Sequence, residues 1–187
     1  CDIGGTTTDI AVISGGQPRR AGSGAVVGDH HTMVDAVDMR TTGLGGDSEV
    51  RAGDGPGEAL QLGPRRALPI VSLAASDPEA VIDALERQLR ADVTRDTDAA
   101  FVVEGPAGPS ARPLDGPERE LYDAVVAHGG PVALDRVDRG ARSRSALTRL
   151  VQRRLITYST FTPTDAACVL GIHPRSGAAA PLLAADL

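Results

Sequence analysis

The sequence predicts an α/β fold on three observations. It opens on a strand–turn–strand in which Cys1-Asp2-Ile3 runs through a glycine turn into Asp9-Ile10-Ala11-Val12-Ile13. One amphipathic helix stands out over Pro78–Leu89. A short apolar run at 100–104 reads as a buried strand.

The first strand is closed by the turn Gly4-Gly5-Thr6-Thr7-Thr8, and the second by Ser14-Gly15-Gly16. Further strands are expected at 17–21 and 34–40, followed by a glycine loop, Gly43-Leu44-Gly45-Gly46-Asp47. In the helix, Asp77 is the N-cap, Pro78 sits in the first turn, and Val81, Leu85 and Leu89 recur every four residues. The Pro- and Gly-rich stretch 105–116 is a loop or boundary. Beyond it, 118–128, 134–137 and 145–155 are expected helices, the last with an apolar stripe of Leu147, Leu150, Val151 and Leu155. Thr162-Pro163-Thr164-Asp165 then caps a helix over 166–170. Because the chain opens inside a strand that needs pairing, the sequence reads as a fragment of a longer domain.

Composition narrows the chemistry. With 41% apolar residues in 187 the chain can build a core, but aromatics are only 2% and Trp is absent. Stacking platforms and aromatic cages are therefore poor explanations. All nineteen basic residues are Arg, which excludes a P-loop lysine, a Schiff base and a lysine general base. A formal charge of −6 argues against nucleic acid as the partner of the whole chain. Cys1 and Cys168 form no metal or redox pattern, in keeping with a reducing, cytoplasmic setting. No apolar run approaches membrane-spanning length, so no membrane partner is expected.

The densest chemical signal is Asp2-Ile3-Gly4-Gly5-Thr6-Thr7-Thr8-Asp9. Two glycines let the backbone close on an anion and present N–H groups to phosphate oxygens. Three hydroxyls add donors at the same spot. Asp2 and Asp9 can reach Mg2+, its waters or the turn's own backbone, and phosphoryl transfer needs this combination. The second signal, Thr41-Thr42-Gly43-Leu44-Gly45-Gly46-Asp47-Ser48, permits close approach of a nucleotide at Gly45 and Gly46. Alone it is an ordinary flexible turn; its place one short hairpin after the first motif gives it weight.

Three strings, DIGGTTTDIAVI, HTMVDAVDMRTTGLGGDSEV and FTPTDAACVLG, resemble the hydantoinase/oxoprolinase family and occur in that family's order. The resemblance implies an actin-like, ribonuclease H-like ATPase fold with two phosphate motifs, the second of which would open this chain. It implies ATP and Mg2+ as cofactors and a cyclic amide or related carbonyl compound as substrate. It also implies two partners: the missing N-terminal half of the same domain and a second hydantoinase-type subunit or domain. Residue by residue, Asp2, Gly4, Gly5, Thr6, Thr8 and Asp9 match the second phosphate motif. Gly43, Gly45, Gly46 and Ser48 match the later glycine loop, and Asp38 with Thr41 the stretch before it. On this reading Asp2 and Asp9 are catalytic, with Asp2 meeting Mg2+ through a bound water. The named glycines, with Thr6, Thr8 and Ser48, bind the nucleotide. Two positions depart from the pattern: Arg40 stands where many members show His, and Asp47 where they show a third Gly.

The expected organisation is an ATPase half-domain at 1–105, a small helical, winged-helix-like insert at 106–159 and a return to the ATPase domain at 160–187. Residues 1–76 and the strand at 100–104 are expected to share one sheet, with the two glycine turns within roughly 10 Å of each other, about two strand spacings. Seven Arg between Arg136 and Arg154 could mark a recognition helix, but interleaved Asp residues favour a structural insert or subunit interface. His30 and His31, adjacent on a strand, would point to opposite faces and so read as surface residues rather than metal ligands. His128 reads as a partner for a helix C-terminus, and His173 shows no partner in the sequence. Rival readings are a sugar or acyl kinase of the same superfamily, and a transcriptional regulator joining a winged helix to an actin-like sensor.

Overall fold

The computed structural model describes residues 1–22, 26–27, 30–31, 34, 36–53, 57, 59–107 and 113–172. The fold is mixed α/β, as the sequence predicts. In the first hairpin, β1 (Asp2–Ile3) and β2 (Thr8–Ala11) pair with Asp2 opposite Asp9 and Ile3 opposite Thr8. Six two-residue strands follow: β3 (Ile13–Ser14), β4 (Gln17–Pro18), β5 (Arg20–Ala21), β6 (Val26–Val27), β7 (His30–His31) and β8 (Ala36–Val37). They form three small antiparallel ladders, β3–β4, β5–β8 and β6–β7. The expected strands at 17–21 and 34–40 are thus each split, the first at Arg19, where the chain passes from pairing with β3 to pairing with β8, and the second at Asp38. β9 (Met39–Thr42) returns to the free edge of β2 and completes the sheet β1-β2-β9.

Next comes a separate ribbon, β10 (Ser48–Arg51) against β11 (Gln61–Arg66), with a bulge between Ser48 and Val50. β12 (Leu68–Pro69) leads into α1 (Ile70–Ala74) and α2 (Pro78–Leu89). The remaining elements are β13 (Phe101–Glu104), α3 (Gly116–His128), β14 (Val132–Ala133), α4 (Leu134–Val137), α5 (Ala141–Gln152), β15 (Ile156–Thr160) and α6 (Pro163–Val169).

The core lies around a four-stranded sheet ordered β12-β15-β13-β14, parallel only between β12 and β15. Alternation along its strands sends side chains to two covered faces. Val102, Ile156 and Tyr158 meet Leu121 and Val125 of α3 and Ala146, Leu147 and Leu150 of α5. Phe101 and Ala133 meet Ile70, Val71 and Leu73 of α1, Val81 and Leu85 of α2, and Cys168 of α6.

Several expectations are corrected here. β13 shares its sheet with β12 but not with the β1-β2-β9 hairpin sheet, so residues 1–76 and 100–104 do not form one sheet. The sheet and its core also cross the boundaries drawn at 105/106 and 159/160, because β14 and β15 lie beside β13. In α2 the buried positions are Val81, Ala84, Leu85 and Gln88, whereas Leu89 is 67% exposed. A helix turns 100° per residue, so a strict four-residue repeat drifts off the core face by its third step. α5 starts and ends earlier than 145–155, because the chain turns at Arg153-Arg154 (Arg154 has φ +58°) to enter β15.

Among the described residues no helix is long and apolar enough to cross a membrane. His30 is exposed; His31's side chain and His173 lie outside the described residues. His128 sits in the last turn of α3, before Gly129 in the left-handed conformation (φ +74°), where a cation suits the helix dipole.

Candidate phosphate-binding site

The turn between β1 and β2 is closed by one backbone bond, Gly4 N–H to Thr7 O at 2.8 Å. Among the described residues no acceptor meets the N–H groups of Gly5, Thr6 and Thr7, and Gly5 and Thr6 are exposed. Three successive unpaired donors on a glycine turn are the backbone equivalent of a small positive patch.

The second glycine loop holds that turn in place. Gly46 N–H donates to Gly4 O at 3.0 Å and Asp47 N–H to Gly5 O at 2.8 Å. Thr8 Oγ1 donates to Leu44 O at 2.8 Å, and Ser48 Oγ accepts from Gly45 N–H at 2.9 Å. A Cβ on Gly45 would lie 2.5 Å from Gly4 O and 2.7 Å from Gly5 C. Gly45 is therefore glycine because one loop is pressed on the other, and no bound nucleotide is needed to explain it. A Cβ on Gly46 would meet Thr164 Oγ1 at 2.7 Å, whereas one on Gly43 would meet open space. The third string closes the assembly. Thr164 N–H donates to Gly46 O at 3.0 Å, and Val50 N–H to Phe161 O at 2.9 Å. Thr162 caps α6 in a reciprocal box with Asp165, whose buried carboxylate also accepts from Val71 N–H at 2.7 Å. Burial pushes that carboxyl up, against the hydrogen bonds that favour its charged form.

These loops line a cleft of about 500 Å³ bounded by Gly4, Gly5, Thr8, Gly45, Gly46 and Ser48, with Leu44, Leu62 and Thr164 among the other walls. Six of the sequence-nominated residues are thus brought together. Thr6 and Gly43 lie beside the cleft on the same loops. Asp2 and Asp9 are placed differently. They form a cross-strand pair, and alternation puts them on the sheet face opposite Ile3 and Thr8, which line the cleft. Thr41 Oγ1 donates to Asp9 Oδ1 at 2.5 Å on that same face. Among the described residues no group of three or more metal-ligating side chains converges. Asp38 pairs with Arg19 away from the loops, and Arg40, opposite Ile10, is exposed.

Two further side chains matter at the loops: Asp47, which the sequence marks as standing in place of the family's third Gly, and Arg66, which it does not single out. Asp47 packs its carboxylate against Gly5, 3.3 Å from where a Cβ would stand. Its Oδ1 is buried without a hydrogen-bond partner, and its Oδ2 accepts from Arg66 Nη2 at 3.3 Å. Arg66 lies in Gly63-Pro64-Arg65-Arg66, which has neither strand periodicity nor a recognisable motif. Only the pairing of Arg66 with Ser48 across the β10–β11 ribbon brings it beside the second glycine loop.

Fold and site together define a mixed α/β protein whose site is a donor-rich glycine turn clamped by a second glycine loop. The hydantoinase/oxoprolinase family profile matches residues 1–113, and the chain belongs to that family. No curated protein and no solved structure matches it. Family membership supports a hydantoinase-type function.

The residues fit the polyphosphate of a nucleotide: glycines that leave the backbone open to an anion, and three N–H donors that meet no acceptor among the described residues. For the Mg2+ of such a nucleotide the fit fails on this side: Asp2 and Asp9 lie on the sheet face opposite the cleft, and no other carboxylate among the described residues lines it.

Proposed function

We propose that this chain supplies the phosphate-binding part of an ATP–Mg2+ site in a hydantoinase/oxoprolinase-type hydrolase whose ATPase domain is actin-like. The substrate would be a cyclic amide or related carbonyl compound, and a second hydantoinase-type subunit or domain would complete the reaction. The carrying observation is the clamped turn, whose Gly5, Thr6 and Thr7 N–H groups meet no acceptor among the described residues, next to a cleft that Gly4, Gly5 and Thr8 line. ATP would supply the phosphoryl group that turns a carbonyl oxygen into a better leaving group.

The chain's own residues do the positioning. Gly4 and Gly5 let phosphate oxygens approach the backbone. Thr8 and Ser48 spend a hydroxyl interaction each on fixing the second loop, so the cradle is set before the ligand arrives. Preorganised donors of this kind account for much of the catalysis in phosphoryl transfer. The helices α3 to α5, read as the winged-helix-like insert, would face a partner subunit.

Calorimetric titration of the chain with ATP–Mg2+ tests the proposal. Saturable binding that inorganic tripolyphosphate displaces is expected, because the phosphates are the recognised part. Binding that adenosine displaces and tripolyphosphate does not would overturn it, as would no binding at millimolar nucleotide.

A further inference from the structure

A nucleotide's polyphosphate carries three to four negative charges, and backbone N–H groups alone rarely hold such a ligand without a cation. The usual lysine is missing, since every basic residue here is Arg. Among the described residues, Arg66 is the cation that hydrogen-bonds to the interlocked loops. Resting on the phosphate reading above, we propose that Arg66 is the polyphosphate-binding cation of this site and that Asp47 parks it there when the site is empty.

Four observations carry this. Arg66 stands directly opposite Ser48, a cleft-lining residue, so both side chains leave the same face of the β10–β11 ribbon. Its neighbour Arg65 points the other way, over the Tyr158 ring at 5.1 Å, and is committed to the core side. The guanidinium reaches Asp47 Oδ2, which itself lies 3.3 Å from the Cβ position of Gly5, so the charge is held within one side chain's reach of the donor turn. Finally, the tether is loose. It is a single contact of 3.3 Å, from an arginine side chain that is 54% exposed, to a carboxylate whose other oxygen has no partner. Exposed single ion pairs of this kind hold weakly and release readily to a more highly charged acceptor. Arginine suits the exchange because its planar fork can take two phosphate oxygens at once.

The test uses the full chain, with inorganic tripolyphosphate and ATP–Mg2+ as probes, titrated calorimetrically at two salt concentrations. Arg66→Gln is expected to weaken both ligands at least tenfold and to flatten the salt dependence, with the melting temperature little changed. Arg66→Lys should recover part of the loss, and Asp47→Asn should bind as tightly as the parent or more so, its competing charge being gone. Arg90→Gln, the same charge change on α2 outside the cleft, should bind like the parent. If the parent binds both probes and Arg66→Gln matches it, the assignment of Arg66 fails and the phosphate reading stands. If the parent binds neither probe, both fail together. Weakening by Arg90→Gln equal to that by Arg66→Gln would also overturn the assignment, because the effect would then be one of net charge.

Discussion

Tyr158 donates its hydroxyl to Glu49 Oε1 at 3.0 Å, joining the central strand of the core sheet to the strand that follows the glycine loop. Glu49 is buried, and Arg65 and Arg51 reach its other oxygen only at 3.8 and 3.9 Å. Among the described residues the Tyr158 hydroxyl is thus its one close side-chain donor. Burial first, and the Glu49 charge second, push the phenol up to about 12. Tyr158→Phe should cost about 1–3 kcal/mol in urea unfolding, the range for stranding a buried acceptor. A phenol raised above its ordinary 10.0 adds stability below that value and loses it as pH climbs towards 12. The parent should therefore lose stability steeply across that window, and the variant should lose less. Parallel curves at pH 9 and pH 11 would refute the coupling.

Glu118 anchors the other face of the sheet. It completes the capping box of α3 with Asp115 and receives Arg149 Nε at 2.6 Å and Arg153 Nη1 at 3.0 Å from α5. The hydrogen bond from Arg149 is the main force holding its carboxyl below the ordinary range, with desolvation opposing it. A depressed carboxyl contributes stability above its unfolded pKa, lost as pH falls through the folded one. Glu118→Gln should keep the cap but forfeit the charge, costing about 1–2 kcal/mol at pH 7, since Arg149 is half exposed. That gap should close on acidification towards pH 3, measured by thermal melting at stepped pH. A gap constant with pH would show that packing and not charge is responsible.

The sequence made local features legible and left distant pairing dark. Asp77 and Thr162 announced their helices because a cap needs only a few contiguous residues. The glycine turns were readable for the same reason, and so was their meeting, through the resemblance that put them in one site. β15, the strand between β12 and β13, escaped because Ile156-Thr157-Tyr158-Ser159-Thr160 follows a helix without a turn residue that marks the boundary. β11 escaped because Gly63 and Pro64 are residues strands avoid; its pairing with β10 is a tertiary fact. Asp2 and Asp9 were assigned to the nucleotide side from proximity in sequence, whereas strand alternation sends them to the other face.

Interlocking of the two loops makes a prediction about glycines that composition alone could not. Gly45→Ala places a methyl 2.5–2.8 Å from three backbone atoms of Gly4 and Gly5, none of which can rotate away. It should cost about 1–3 kcal/mol and expose the amides of residues 44–48 to faster hydrogen exchange. Gly43→Ala meets nothing within 4 Å and should change stability by no more than about 0.5 kcal/mol. Equal effects at the two positions would mean that the loops are not packed as described.

Asp165 decides how firmly the cleft is fastened to the core. Its Oδ1 accepts from Val71 N–H of α1 at 2.7 Å, and its Oδ2 from Thr162 N–H and Oγ1, both at 2.8 Å. One side chain thereby satisfies the start of α1 and the start of α6, and α6 in turn holds Gly46 through Thr164. Asp165→Ala leaves three donors without their acceptor, two of them backbone groups inside the protein, and should cost about 2–4 kcal/mol. Asp77→Ala, which removes an N-cap serving α2 alone, should cost only about 1 kcal/mol. The acid side adds a sign. Burial raises the Asp165 carboxyl above its unfolded value, so this group favours the folded state most below the unfolded pKa and gives that up as pH rises through the folded one. The cost of Asp165→Ala relative to the parent should therefore grow as pH falls from neutral towards the ordinary carboxylate range, the reverse of the trend for Glu118→Gln. Urea unfolding of both variants across that range checks the two opposite slopes, and slopes of the same sign would show that the hydrogen bonds to Asp165 outweigh its burial.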